Sequence, residues 1–347
     1  MQETYGDIAR RVVGKLVDTH EGGGENDHLT LDTWEWPQGV AIYSLLKVYG
    51  RTKDAALLSW LKAWYQMHLR KGLPPRNVNT TAPMLGMAEL YALTGEAQYP
   101  PLIRGWAGWI MDEMPRTEEG GLQHITTHDE NPQQLWDDTL FMTVLFLYRA
   151  GQTLGEESWM REAEYQFLLH IKYLSCAQNR LWYHGWTFQG RHHFGGAFWA
   201  RGNSWYTAGG VEFAQMLPEG PVRRAVLEAW RGQCEQLCAL QDEATGLWHT
   251  LLDHEDSYLE TSASAAIAYG LLKGVRLGLL PEACRAHAEK AAAGVLSQVA
   301  PDGTVQGVSY GTPMGRDLDF YRQIPICPTA YGQGLVFLML TELMDAQ

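Results

Sequence analysis

The chain has 347 residues, 46% of them apolar and 19% charged, and its 27 Lys and Arg against 40 Asp and Glu leave a formal net charge of −13. A chain this apolar collapses, which excludes an intrinsically disordered protein, and its acidity, with no basic run to displace counterions, excludes nucleic acid and anionic membrane as partners. The 14 Trp and 36 Gly exceed ordinary usage.

Residues 1–18 form an amphipathic helical pattern with charges throughout and lack the unbroken apolar core of a secretory signal. No later segment approaches the roughly 18 uncharged apolar residues of a membrane span. Cys176, Cys234, Cys238, Cys284 and Cys327 include no CxxC pair and read as small buried side chains in a reducing compartment. Together these features point to the cytoplasm.

A turn-forming break, Gly-containing in all cases but one, recurs at 22–24, 72–73, 120–122, 179–181, 246–247 and 302–304. Each is followed by a polar, aromatic-rich stretch and then by a long apolar run, at 39–49, 82–93, 140–150, 206–217, 262–274 and 334–344. Between one run and the next break lies a second helical pattern, as at 55–69, 157–173, 222–240 and 281–299, with apolar and charged positions divided by the 3.6-residue period. The runs after the loops are apolar on most faces and belong inside; their one-sided, charged partners belong outside. Six such pairs predict an all-α fold, an (α/α)6 barrel, with residues 1–347 forming a single domain. An open helical solenoid would keep a more constant repeat than these unequal spacings.

If the inner helices run in parallel, the loops that precede them share one rim, and the unusual residues lie there. In chain order they are Asp32, Trp34, Glu35 and Trp36; Asn77 and Asn79; His124, His128, Trp136, Asp137 and Asp138; His184, Trp186, Trp199, Arg201, Asn203 and Trp205; Trp248, His249 and Glu260; and Asp319, Tyr321 and Arg322. Indoles for apolar ring faces, with carboxylates, His and Arg for hydroxyls, make the composition of a sugar site. Trp60, Trp64, Trp106, Trp109, Trp159 and Trp230 fall on outer helices and read as packing. Asp137 or Asp138 can cap the helix that begins near Thr139, and the carboxylate just after Trp136, beside an apolar helix, is the candidate for a raised pKa. The adjacent His192 and His193 diverge and do not suggest a metal site.

The segments Trp136-Asp137-Asp138-Thr139-Leu140-Phe141-Met142, His184-Gly185-Trp186 and Trp199-Ala200-Arg201-Gly202-Asn203-Ser204-Trp205-Tyr206 resemble the motifs of the unsaturated rhamnogalacturonyl hydrolases, glycoside hydrolase family 105. Asp319-Phe320-Tyr321 and Pro328-Thr329-Ala330-Tyr331-Gly332-Gln333-Gly334 continue the likeness in the same order. The resemblance implies an (α/α)6 barrel, cytoplasmic in bacteria, that removes the Δ4,5-unsaturated uronic acid left by polysaccharide lyases, with no metal or organic cofactor. It places the catalytic acid/base on Asp138, directly before Thr-Leu-Phe-Met, while Asp137 stands where the family tends to have an apolar residue; the choice between the two stays open. His128 matches a family histidine, Trp36 an aromatic that contacts the sugar, and His184, Arg201 and Trp205 substrate-site positions. A second family Asp aligns with Asn79, which cannot titrate. Trp136, Trp199, Tyr321 and Arg322 complete the expected substrate contacts.

On this reading Asp138, kept protonated by partial burial near Trp136, protonates C4 of the unsaturated ring, and its carboxylate, with His184, deprotonates the water that attacks C5. Arg201 holds the uronate with a two-pronged contact while Trp36 and Trp205 stack on the sugars. The expected partner is a small unsaturated disaccharide, bound by a monomer or homodimer; the leaving sugar and the galacturonyl or glucuronyl identity stay open. Two other readings share the barrel: a sugar epimerase or isomerase with His184 and His249 as proton shuttles, and a non-catalytic glycan-binding protein.

Overall fold

The computed structural model describes residues 3–19 and 27–344, so the first break, at 22–24, lies outside the described residues. Helix α1 (Tyr5–Val17) precedes five helical pairs. These are α2 (Trp36–Thr52) with α3 (Ala55–Lys71), α4 (Val78–Thr94) with α5 (Tyr99–Asp112), α6 (Leu145–Leu154) with α7 (Glu157–Leu174), α8 (Ala200–Met216) with α9 (Pro221–Ala239), and α10 (Thr261–Arg276) with α11 (Cys284–Ser297). A short α12 (Leu318–Arg322) and the long α13 (Ala330–Leu343) end the described chain. A π-helical turn, Leu140–Val144, leads into α6.

The first helix of each pair is interior. Every residue of α13 is buried, and in α10 all but Arg276 are. The outer α3 instead buries Leu57, Leu61, Trp64, Tyr65 and His68, one stripe at the helical period. Trp106 and Trp109 on α5, Trp159 on α7 and Trp230 on α9 turn into the core in the same way. Side-chain caps start several helices: Asp54 accepts from the amides of Ala56 and Leu57 ahead of α3, an arrangement worth about 1 kcal/mol. Inner helices approach closely because small residues face one another. A Cβ on Gly39 of α2 would come within 2.6 Å of Ala82 and Pro83 of α4.

Helix α13 packs on α2 and α10 and so closes the ring, and α1, from the other end of the chain, covers it as the sixth outer helix. The architecture is the (α/α)6 barrel. All six inner helices begin at one rim. There two short antiparallel pairings brace the loops, β1 (Gln134–Trp136) with β2 (Gly185–Thr187) and β3 (Trp248–His249) with β4 (Leu259–Glu260). Among the described residues no helix is long and apolar enough to cross a membrane, and all five cysteines are unpaired.

Candidate active site

The N-terminal ends of the inner helices surround a cavity of about 520 Å³. Trp36 from the start of α2, Asn79 from the first turn of α4, and His128, Trp136 and Asp138 from the loop before α6 all line it. Trp199 and Arg201 enter from the start of α8. Seven of the eleven residues singled out in the sequence thus meet in one place.

Pairing of Trp136 with Gly185 in the β1–β2 ribbon sets the next residues, Asp137 and Asp138, beside His184, and the Asp137 amide donates to the His184 carbonyl at 3.0 Å. One carboxylate oxygen of each aspartate and one ring nitrogen of His184 lie within 4.8 Å of one another. The Asp138 Oδ2 atom is 3.3 Å from His184 Nε2. On its other side His184 Nδ1 meets the Tyr321 hydroxyl at 2.7 Å, and that oxygen already accepts the Gly315 amide at 3.1 Å. The same hydroxyl lies 3.8 Å from Met314 Sδ. Nε2 is the ring nitrogen turned toward the two carboxyls, and the cluster is suited to holding and moving a proton.

The two adjacent aspartates differ in their surroundings. Asp138 lines the cavity with its side chain 17% exposed; Asp137 is fully buried, and neither of its carboxyl oxygens has a hydrogen-bond donor within reach. Burial first, and then the Asp138 charge, push Asp137 well above the usual carboxylate range. Burial also acts to raise Asp138, but His184, Asp137 and His124 outweigh it and hold Asp138 below that range. The two carboxyls titrate as a pair in which Asp137 is shifted up and Asp138 down, the reverse of the expectation that burial near Trp136 raises Asp138.

Aromatic rings wall the cavity. Trp36 lies 4.5 Å from Tyr331, and His124 stacks on Trp136 at 4.1 Å with its Nδ1 bonded to Thr139 at 2.8 Å. Burial pushes His124 down to about 3, so it is a neutral platform and not an acid. Trp199 lies 4.5 Å from His184 and fixes the ring from a second side.

Four expected contacts take other roles. Arg201 is fully buried, and its terminal N–H groups are spent on the segment that forms the cavity wall: the carbonyl and hydroxyl of Ser309, the Tyr310 carbonyl and the Thr312 hydroxyl, the last two at 2.8 Å. Only Nε lacks a partner, so the two-pronged contact expected with a uronate is not available. Trp205 is fully buried outside the cavity, 6.1 Å from Trp36 and 5.1 Å from Phe141, and supports Trp36 from beneath. Tyr321 is buried and serves His184, and Arg322 lies beside Asp319, His254 and Asp256 away from the cavity. His249 donates from Nδ1 to the Ser257 carbonyl and is likewise outside the cavity, away from His184.

The structure adds Glu35, Tyr331 and the segment 310–313 to the lining. Glu35 caps α2 through the Trp36 amide at 3.2 Å, accepts the Thr127 hydroxyl at 2.8 Å, and is raised by burial. Glu35 and Tyr331 belong to stretches that stand out in the sequence; 310–313 has no periodicity or motif by which to find it.

Flat rings for sugar faces and a carboxyl pair beside a histidine at their foot put the protein among the carbohydrate hydrolases. More specifically, the chain belongs to glycosyl hydrolase family 88, whose profile matches residues 8–347. It is similar to the unsaturated rhamnogalacturonyl hydrolase YesR of Bacillus subtilis (strain 168), at 34% identity over 90% of this chain and 90% of that protein. A solved structure of a possible member of the GH105 family from Salmonella enterica serovar Paratyphi A superposes with a TM-score of 0.96 at 41% identity, covering 99% of this chain and 94% of that one. At 18% identity the unsaturated glucuronyl hydrolase of Bacillus sp. GL1 shares the fold, with a TM-score of 0.77 over 99% of this chain and 97% of the other.

Proposed function

We propose that the enzyme removes a Δ4,5-unsaturated uronic acid from the non-reducing end of a small lyase-generated oligosaccharide by hydrating the enol ether. The observation that carries this reading is Asp138, a carboxyl that lines the ring-walled cavity with His184 Nε2 at 3.3 Å and the buried Asp137 carboxyl beside it. A proton delivered through Asp138 adds to C4, the C4–C5 π electrons form the new C–H bond, and positive charge develops at C5 and the ring oxygen. Water then bonds to C5 and gives its proton back to the Asp138 carboxylate, which His184 keeps in place. The hemiketal opens and expels the remaining sugar. One acid/base suffices, so Asn79 at the position of a family aspartate is compatible with turnover, unlike the loss of one of two opposed carboxylates in an ordinary glycosidase.

Trp36 and Trp136 provide the sugar faces, and Asn79 and His128 hydrogen-bond to hydroxyls or to the uronate. Arg201 acts from behind the wall, by its charge and by fixing 309–312. The chain serves as one catalytic domain in the cytoplasm, where unpaired cysteines persist. Asp138→Asn is expected to lower kcat on an unsaturated disaccharide by about 100- to 10,000-fold, followed by loss of enol-ether absorbance, with the circular dichroism spectrum unchanged. Turnover near the wild-type rate would sink the assignment. Mass analysis separates the alternatives: hydration adds water and splits the disaccharide, whereas isomerisation conserves mass.

A further inference from the structure

We propose that Asp137 is a positioning residue that stores the proton Asp138 delivers and so sets the upper pH limit of turnover; this rests on the acid/base reading of Asp138. The geometry begins with room. Asp137 packs onto Gly202 in the first turn of α8, where any Cβ would collide with its carboxyl group. The carboxyl is thereby held inside the protein, wholly buried, with both oxygens lacking donors. Two facing carboxylates are acceptors only, and one shared proton satisfies both.

The groups around Asp137 leave no other source. Asp138 follows it in the chain, and His184 presents Nε2 to Asp138. The Tyr321 hydroxyl of α12 is engaged by His184, the Gly315 amide and Met314. Arg201 of α8 bears on Asp137 as a charge, but its terminal N–H groups are engaged by 309–312. His124 and, behind it, His170 of α7 are kept neutral by burial. Because Asp137 does not line the cavity, it reaches substrate only through Asp138. In the catalytic step the single stored proton passes from Asp137 to Asp138 and on to C4, and the proton of the attacking water restores the pair. Atoms and charge balance with no further reactant.

Three proteins test this: wild type, Asp137→Asn and Asp137→Val, with Asp138→Asn beside them. Without the neighbouring acid, Asp138 loses its proton at lower pH. The alkaline limb of kcat/KM is therefore expected to move at least about one unit toward acid in both Asp137 variants, with KM within about twofold of wild type. Superimposable limbs, with Asp138→Asn inactive, would overturn the inference and leave the acid/base reading standing; an active Asp138→Asn would overturn that reading instead. Carbon-13 NMR of carboxyl-labelled aspartate gives an answer independent of activity. One resonance in the neutral-carboxyl range is expected at pH 7 in wild type and is lost in Asp137→Asn; its absence from wild type overturns the proposal.

Discussion

Among the carboxyl groups that the barrel buries, Glu212 and Asp137, at opposite ends, are treated in opposite ways. At the closed end, Glu212 of α8 accepts from Tyr43 and Lys47 of α2, both at 2.9 Å, and from Tyr269 and Lys273 of α10. Burial alone would raise it, yet Lys273 and Lys47 hold it well below the usual range. The partners respond unequally: Lys47 rises, while the desolvation of Lys273 outweighs the same glutamate and lowers it. At the open end, Asp137 is equally buried and has no donor, so its pKa rises. Burial by itself therefore does not mark a reactive acid. The donor count does: four donors make Glu212 a rivet between three inner helices, and none makes Asp137 a place for a proton.

This contrast can be broken by substitution. Glu212→Ala strands Lys47 and Lys273 and is expected to cost about 3–5 kcal/mol in urea unfolding while leaving kcat of the folded enzyme unchanged. A fall in kcat without loss of stability would erase the distinction between the ends. Gly202→Ala drives a methyl group into the Asp137 carboxyl and is expected to cost about 1–3 kcal/mol together with activity, whereas Gly105→Ala, whose new methyl would meet only Arg76 at 3.5 Å, should change neither. Tyr321→Phe removes the hydroxyl that orients His184 and should lower kcat about tenfold, roughly 1.4 kcal/mol, with KM unmoved.

The smallest effect sharpens the contrast most. A depressed pKa in the folded state stabilises above the unfolded value, so the Glu212 contribution is lost as pH falls below about 4. A raised pKa acts the other way: the Asp137 contribution is complete below about 4 and is lost as pH rises through the raised value. Thermal melts across pH should show Asp137→Asn removing the alkaline decline alone and Glu212→Gln removing part of the acid decline alone. A single variant that flattened both limbs would contradict the separation.

The sequence made the ring legible because a repeated break followed by an apolar run is a local signal. All six runs proved to be inner helices, and the amphipathic N-terminal pattern supplied the sixth outer helix. Trp36, Trp136 and Asp138 were legible for the same reason, lying at predictable starts of inner helices. What escaped depends on contacts distant in the chain. Arg201 reaches residues 309–312, more than 100 positions away, and nothing in its own motif shows that its donors are spent there. Trp205 sits one helical turn beyond Arg201, and that turn carries it from the cavity into the core. The order of the two aspartates is set by which one faces Gly202, a matter of side-chain direction that adjacent positions do not reveal.

The closure of the ring by α13, between α2 and α10 with α1 along its back, bears on how the enzyme comes into being. A nascent chain that has emerged only through α11 carries two open flanks, each displaying the apolar sides of inner helices, and it lacks Tyr331 from the cavity wall. Contacts between the earliest and latest helices put a high loop-closure cost at the end of folding. A chain without α13 is therefore expected to be inactive and prone to associate, because both the ring and the cavity wall are incomplete without it.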